Sequence, residues 1–358
     1  MVVLVMIAML SGTSPASAAA GPITKVLGDC TGYPSDAEIT ADGTIHGFVT
    51  CEPADVSGRD TIRYFTGRTP GSFSSKVSPY HGVVYAVAWD QSSRVYVMFQ
   101  ELPTPGTVAP SMRVAVYDTV TGEFSPPTPL SLPGEYGPRE GDIVAYRGKW
   151  WAVWQQPTPV GGKLVQNLYQ AGNLLGASGR TRITGTPASD YDVRLAYDRG
   201  VVSMVWNRAG EGIRIATTTD GRWSSSFLMA GGRPALVRRD GLTYVATMSR
   251  TTREWIVRET DNSTGRWVTH TFAVPSNEEI EPTLAVSGGR VFLTYQANLE
   301  SGGGVSWIHA SRIGTTWRER VGPVEPYSTY LLATVAQGGS ATVLWTDHLR
   351  HEVMAQKQ

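Results

Sequence analysis

Short apolar runs that end in an aromatic residue followed by a side-chain amide recur along the chain. They include KWWAVWQQP from Lys149, VVSMVWNRAG from Val201 and RVFLTYQAN from Arg290. A tight turn precedes each run, and two apolar runs joined by a two-residue glycine turn are the strongest local signal for a β-hairpin. No long segment shows the 3.6-residue period of an amphipathic helix. The pattern therefore predicts an all-β protein.

The hairpin turns recur at nearly constant spacing, which indicates a repeat. The turn residues are Gly43, Ser93, Gly148, Gly200, Gly241, Gly289 and Gly339, with a period of about 50 residues. Each unit holds four short apolar strands, such as DVRLAY, VVSMVW, IRIATT and SSSFLM in the fourth unit. A period of this length is typical of a propeller blade. We expect a single domain over residues 21–358, a seven-bladed β-propeller of four-stranded antiparallel blades, with six blades as the alternative.

The first and last units are predicted to share a blade. The seventh unit ends one strand short with HEVMAQKQ, whereas ITKVLGD, which begins at Ile23, precedes the first unit. Pairing these two strands would close the ring and leave no exposed sheet edge at the seam. Cys30 and Cys51 are the only cysteines. We expect a disulfide between them that holds the closing strand, with two buried free thiols as the alternative.

The N-terminal segment MVVLVMIAMLSGTSPASAAA has the apolar run and small residues of a secretory signal peptide. Cleavage near Ala18 to Ala20 would release a secreted, extracellular protein, which we expect to be a monomer. No later segment has the about 20 apolar residues that a membrane span needs. The formal net charge is zero, so no nucleic acid or anionic membrane is expected as a partner.

Three turns between the third and fourth strands share a motif. They read TTTDGRW from Thr217, TDNSTGRW from Thr260 and SRIGTTW from Ser311. Each resembles the Asp-box, the Ser-x-Asp-x-Gly-x-Thr-Trp turn of sialidase-like (BNR repeat) propellers. In that family the Asp-box is a structural turn far from the catalytic face. The resemblance therefore implies the propeller fold, with the six-bladed sialidase type as the alternative to seven blades.

Strand alternation separates the recurring aromatic from the recurring amide, because successive side chains of a strand point to opposite faces. The aromatic rings are predicted to pack between neighbouring blades; they are Phe99, Trp154, Trp206, Tyr295 and Trp345. The amides Gln100, Gln155, Asn207 and Gln296 each need hydrogen-bond partners if they are buried.

A two-residue turn fixes which residue lies opposite each amide. The count places Gln155 opposite Glu140, Asn207 opposite Asp192, Gln296 opposite Glu281, Gln100 opposite Tyr85, and Met248 opposite Arg233. The position lies near the start of the innermost strand of a blade, at the mouth of the axial channel. Three carboxylates and an arginine from units three to six are therefore predicted to converge there. The alternative is a ring that holds ordered water and ties the blades together.

The loops that enter the innermost strands add tyrosines and charged groups around this mouth, including Glu38, His81 and Asp142. A concave mouth with convergent polar groups is the default expectation for a ligand site. The predicted substrate-binding residues are Arg139, Arg194, Arg233, Tyr136, Tyr191, Gln155, Asn207 and Gln296.

Glycoside hydrolysis is the first candidate reaction, because it needs two carboxyl groups about 5–10 Å apart, one of them acting as the acid. The predicted catalytic carboxyl groups are Glu140, Asp192 and Glu281. The sialidase resemblance implies an arginine clamp on a substrate carboxylate, and Arg139, Arg194 and Arg233 are the candidates. A polysaccharide lyase, with His81 beside Tyr80 as the place to look for the base, is a weaker option.

A non-catalytic lectin or protein-interaction scaffold is the alternative class, since tyrosine-rich rims serve sugar and protein binding equally well. The loops differ between units, which favours one central site. No zinc-ligand spacing is present and no cofactor is expected, although the carboxylates leave a structural Ca²⁺ open. The expected partner is an extracellular glycan or another cell-surface polymer.

Overall fold

The computed structural model describes residues 20–30, 36–52, 60–69, 72–102, 110–131, 137–176, 179–249, 251–261, 263–273, 282–299, 304–314, 316–321, 325–326, 329–347 and 350–358. The predicted signal peptide lies outside these residues, except for Ala20. Every regular element in this part of the chain is a β-strand. None of the described residues forms a helix of the length and apolarity that crossing a membrane would require.

The strands follow one another in chain order. The first ten are β1 (Ile23–Leu27), β2 (Asp36–Ile39), β3 (Ile45–Cys51), β4 (Thr61–Gly67), β5 (Ser74–Trp89), β6 (Arg94–Glu101), β7 (Ser111–Asp118), β8 (Glu123–Phe124), β9 (Thr128–Pro129) and β10 (Arg139–Tyr146). The next ten are β11 (Lys149–Val160), β12 (Lys163–Gly172), β13 (Thr181–Arg182), β14 (Asp190–Asp198), β15 (Val201–Arg208), β16 (Gly212–Thr218), β17 (Ser224–Met229), β18 (Gly232–Arg239), β19 (Leu242–Ser249) and β20 (Glu254–Asp261). The last nine are β21 (Trp267–Ala273), β22 (Thr283–Ser287), β23 (Arg290–Leu299), β24 (Gly304–Ile313), β25 (Thr316–Val321), β26 (Glu325–Pro326), β27 (Thr329–Gln337), β28 (Ser340–Asp347) and β29 (Glu352–Lys357).

The strands form antiparallel sheets whose order follows the chain. Four-stranded sheets comprise β10–β13, β14–β17 and β18–β21, and β22–β25 form a further sheet to which β26 adds a short pairing. The first two units share one eight-stranded sheet, because β5 pairs through its first half with β4 and through its second half with β6. This architecture confirms the prediction of an all-β propeller.

The innermost strands surround an axial channel of about 1220 Å³. In the described part of the chain, His46 of β3 and seven first strands line it; these first strands are β2, β5, β10, β14, β18, β22 and β27. Each of them contacts the next, and β27 contacts β2, so the ring is closed. Seven lining strands favour seven blades over the six-bladed alternative.

The two ends of the chain meet in the last sheet. Strand β1 pairs antiparallel with β29 and forms its outer strand, and Gly21 N–H donates to the carbonyl of Lys357 at 2.9 Å. The predicted disulfide between Cys30 and Cys51 is present, with 4.7 Å between the two Cα atoms. It joins the segment after β1 to the end of β3 in the next sheet.

In the fourth unit the second strand is the most buried and the outermost strand the least. In β15 most side chains are buried, whereas the first four residues of β17 are exposed. β-Branched and aromatic side chains suit an inner strand because neighbouring blades cover both of its faces.

The recurring aromatic rings pack where blades meet, as expected. Trp154 is fully buried beside Met98 and Ala86 of the preceding unit, and Trp206 lies beside Val153 in the same way. Together with Phe99, Tyr295 and Trp345, which are also buried, they supply a large apolar surface at equivalent positions.

Candidate functional site

The first strands contain register shifts that the turn count did not predict. Gln155 pairs with Arg139 rather than with Glu140, and Asn207 pairs with Tyr191 rather than with Asp192. Met248 pairs with Gly232 rather than Arg233, and Gln100 pairs with Val83 rather than Tyr85. In β10, β14 and β18 the pairing slips by one residue at Glu140, Asp192 and Arg233, as in a β-bulge. These four predicted pairings are therefore wrong by one or two residues, and the fifth, Gln296 with Glu281, includes a residue outside the described part of the chain.

The residues at the three bulges adopt a backbone conformation that is rare for side-chain-bearing residues. The φ angles are +28° for Glu140, +53° for Asp192 and +47° for Arg233. A non-glycine residue in this left-handed region costs about 1–2 kcal/mol, and such strain concentrates at functional sites. The same strained position recurs in three successive blades.

The three bulges border one cavity of about 680 Å³. Residues of the units that begin with β10, β14 and β18 border it, and none of its lining residues lines the axial channel. Seven predicted site residues line it: Arg139, Glu140, Gln155, Tyr191, Asp192, Asn207 and Arg233. The register shifts therefore bring together two carboxylates, two arginines, two amides and a tyrosine on one face of the propeller.

Glu140 and Gln155 form the best-defined contact in this cavity. The Gln155 side-chain amide donates to Oε2 of Glu140 at 2.8 Å, and Gln155 is almost fully buried. Tyr85 of the preceding blade lies beside Glu140, and burial, helped by the Glu140 charge, raises the pKa of Tyr85. On the opposite side, Tyr191 presents an exposed ring. The cavity thus offers charged, hydrogen-bonding and aromatic surfaces.

A buried ion pair that was not predicted supports the cavity wall. Arg208 lines the cavity, and its Nε and Nη2 donate to the carboxylate of Asp190 at 2.7 and 3.2 Å. Asp190 is fully buried and also accepts Nε1 of Trp206 at 2.8 Å. The Asp190 contact raises the pKa of Arg208. Opposite charges at the paired positions 190 and 208 were the sequence signal for this contact.

Two of the other predicted site residues, Arg194 and Gln296, do not line this cavity. Arg194 lines the axial channel instead, near Asp142 and Asp36. The predicted grouping of Arg194 with Arg139 and Arg233 is therefore wrong, because the bulge at Asp192 turns Arg194 to the other side of the strand. Gln296 is buried in β23 opposite Trp307 and does not line the cavity. Tyr136 and Glu281 lie outside the described residues.

His81 and Tyr80, the pair considered for a lyase, also lie away from the cavity. The Tyr80 hydroxyl donates to the carbonyl of Ser125, and its ring stacks on Phe99. The His81 ring lies 3.3 Å from the carbonyl of Asp60. Nothing in these contacts favours a catalytic base.

The axial channel holds a second group of ionisable residues, Asp36, Glu38 and Asp142. Burial within the ring raises the pKa of Asp36 to about 6, of Asp142 to about 7 and of Glu38 to about 8. The Glu38 side chain lies inside the ring of blades and is exposed to the solvent of the channel. Across the described part of the chain, no three His, Cys, Asp or Glu side chains are grouped as a metal site requires.

The fold and cavity define a β-propeller with a polar, mixed-charge site on one face. No family model matches the sequence, and no curated protein matches it. Among solved structures, the Hadza microbial sialidase Hz136 is 12% identical with a TM-score of 0.54, over 75% of this chain and 64% of the sialidase. This chain thus spans slightly less than two thirds of that protein.

Two other solved structures match nearly end to end. YCF48 bound to D1 peptide is 12% identical with a TM-score of 0.54, over 96% of this chain and 98% of YCF48. The β-propeller domain of the Trilobed protease from Pyrococcus furiosus is 8% identical with a TM-score of 0.53, over 93% and 96% of the two chains. At these identities the likeness shows a β-propeller fold and nothing about activity.

Proposed function

We propose that the protein is a secreted, carbohydrate-recognising β-propeller that binds an acidic saccharide in the cavity between the third, fourth and fifth units. The observation that carries this proposal is the convergence of Arg139, Arg233, Glu140, Asp192 and Tyr191 on one cavity from three blades. A volume of about 680 Å³ lies within the range of small-molecule sites.

Each group in the cavity has a counterpart in an acidic sugar. The arginines Arg139 and Arg233 would bind its carboxylate, because guanidinium groups form paired hydrogen bonds with carboxylates. Arg208, which Asp190 orients, replaces Arg194 as the third cation. The carboxylates would accept hydrogen bonds from ring hydroxyl groups, and Asn207 would donate or accept them. The exposed ring of Tyr191 would cover an apolar sugar face.

Binding is tested by calorimetry with N-acetylneuraminic acid and galacturonic acid oligomers, using neutral galactose oligomers for comparison. We expect an acidic sugar to bind and Arg233→Ala to weaken it about tenfold or more, because a hydrogen bond to a charged group contributes about 1.5–3 kcal/mol. Arg266→Ala, at an exposed position outside the cavity, is the matched control. Failure of every acidic sugar to bind would refute the proposal.

Glycoside hydrolysis is the finer hypothesis for the same cavity. Glu140 and Asp192 lie on neighbouring blades, as the paired carboxyl groups of a glycosidase would. We expect chromogenic glycosides of the bound sugar to be cleaved by the wild type, and Glu140→Gln and Asp192→Asn each to reduce kcat at least 100-fold. Tight binding without turnover would leave a lectin, and turnover that survives both substitutions would exclude the pair as catalytic.

A protein-interaction scaffold is the second candidate. Its support is the end-to-end likeness to YCF48, which is bound to D1 peptide in its solved structure. A peptide carboxylate could use the same arginines. A peptide library screened against the wild type and Arg233→Ala would support this alternative if peptides bind and acidic sugars do not.

A further inference from the structure

Asp142 forms a bridge between two blades next to the cavity. Its Oδ1 accepts the N–H of Ile143 at 2.7 Å, within its own strand β10. Its Oδ2 accepts the N–H of Leu195 at 2.6 Å, in β14 of the next blade. One carboxylate therefore joins the first strands of two neighbouring sheets.

The bridge lies close to the residues that present the cavity. Glu140 is two positions before Asp142 in β10, and Asp192 is three positions before Leu195 in β14. The two strands belong to different sheets, so no backbone ladder fixes the distance between them. Contacts between the blades must set this distance, and a site loses affinity when its supporting contacts leave it about 1 Å too loose.

We propose that Asp142 is the positioning residue of the cavity: by tying β10 to β14 it sets the separation of the Glu140 and Asp192 side chains and thereby the affinity for an acidic saccharide. The statement about affinity rests on the proposed function. The statement about separation does not.

The surroundings of Asp142 make the bridge sensitive to pH. Arg194 faces it from β14, Asp36 and Glu38 face it from β2, and Tyr85 of β5 lines the same channel. Burial raises the pKa of Asp142 to about 7, and Arg194 opposes this increase. An ionised carboxylate accepts N–H groups more strongly than a neutral acid, so the bridge strengthens as pH rises through about 7.

Asp36 supplies a matched control elsewhere in the ring. Its carboxylate accepts the N–H of Ala37 at 2.8 Å and, across the blade boundary, the N–H of Val87 at 3.1 Å. It therefore makes the same type of bridge between β2 and β5, also in the channel. None of these residues lines the cavity. Because the Asp36 charge raises the pKa of Asp142, the variants are compared at about pH 8.5, where Asp142 is ionised with or without that charge.

Spin labels test the separation without any ligand. Labels at Arg139→Cys and Tyr191→Cys flank the two bulges at exposed positions, and the native cysteines are joined in the disulfide. We expect Asp142→Ala to lengthen or broaden the label distance measured by electron paramagnetic resonance, and Asp36→Ala to leave it unchanged. An unchanged distance in Asp142→Ala would overturn the positioning role.

Calorimetry with N-acetylneuraminic acid and galacturonic acid oligomers tests the affinity. We expect Asp142→Ala to weaken binding on the order of tenfold, Asp142→Asn to recover part of it, and Asp36→Ala to have no effect. Wild-type affinity should increase between pH 6 and 8, and Asp142→Asn should abolish this increase. Equal weakening by Asp36→Ala, or a pH step that persists in Asp142→Asn, would contradict the claim.

The two measurements distinguish failure of the proposed function from failure of the positioning role of Asp142. If the wild type binds no acidic saccharide, the proposed function fails, and the label distances alone decide whether Asp142 positions the two bulges.

Discussion

At the scale of residues, the backbone strain at the cavity is located at the three bulges. Glu140, Asp192 and Arg233 have positive φ angles and line the same cavity. The strand would be more regular without them, since a bulge interrupts the ladder and an L-residue in the left-handed region is strained. The strain is compatible with a role in aiming side chains at a ligand.

Glycine should relieve this strain at Asp192. We expect Asp192→Gly to have a higher free energy of unfolding than Asp192→Ala, by about 1 kcal/mol, because only glycine adopts φ near +53° without a steric cost. Urea denaturation of both variants measures the difference. Ser226, which is exposed in β17, is the control: there glycine should be less stable than alanine. If the glycine variant were less stable than the alanine variant at position 192 as well, Asp192 would not be strained.

At the scale of strands, the N-terminal segment is held in the propeller by strand pairing and by a disulfide. Strand β1 completes the sheet of β27–β29 by backbone pairing, and the Cys30–Cys51 disulfide ties the following segment to β3. The Asp-box-like turn after β16 is held locally, since Asp220 accepts the N–H of Arg222 at 2.9 Å. Its assignment as an Asp-box remains a prediction from the sequence.

Removal of the disulfide should destabilise the closure. We expect the double variant Cys30→Ser, Cys51→Ser to lose about 3 kcal/mol of unfolding free energy. The disulfide reduces the conformational entropy of the unfolded chain, because it closes a loop between cysteines 21 residues apart. Thermal unfolding with and without reductant measures the loss. Reductant should lower the melting temperature of the wild type and leave the variant unchanged; an unaffected wild type would contradict the prediction.

At the scale of the whole molecule, the ring of blades creates a channel that buries ionisable groups. The folded-state pKa values of Asp142 and Glu38, about 7 and about 8, lie above ordinary carboxyl values near 4. The folded protein therefore holds protons that the unfolded chain releases. Stability from these groups is complete below about pH 4 and is lost as pH rises towards 8.

Stability should therefore fall between pH 6.5 and 8.5. His46 and His309, whose pKa values burial lowers to about 4, act below this window and in the opposite direction. Because Glu38 meets solvent in the channel, we expect its share of the loss to be about 1 kcal/mol. Urea denaturation at several pH values measures it, with Glu38→Gln as the comparison. A Glu38→Gln variant with the same pH slope as the wild type would exclude Glu38 as the source.

Much of the architecture was predictable because it depends on local signals. Glycine turns at a constant period and apolar strands predicted an all-β propeller, and strand alternation placed Trp154 and Trp206 in the blade interfaces. The turn count gave the wrong pairing at Glu140 and Asp192 because a bulge adds one residue to the first strand. The alternation of apolar and polar residues does not show where this extra residue lies. The count still chose the correct neighbourhood, since a shift of one residue leaves Gln155 within reach of Glu140.

The sequence by itself determined the repeat, the strand-rich fold and the residue types available at the start of each first strand, because these depend on neighbours a few positions apart. Only the tertiary structure decided that Glu140, Asp192 and Arg233 share a cavity, that Arg194 lines the axial channel and that Arg208 lines the cavity. The reason is physical: the direction of these side chains depends on bulges inside each hairpin, which the alternation of apolar residues does not reveal. It also depends on contacts between blades, such as Asp142 with Leu195, whose residues are 53 positions apart.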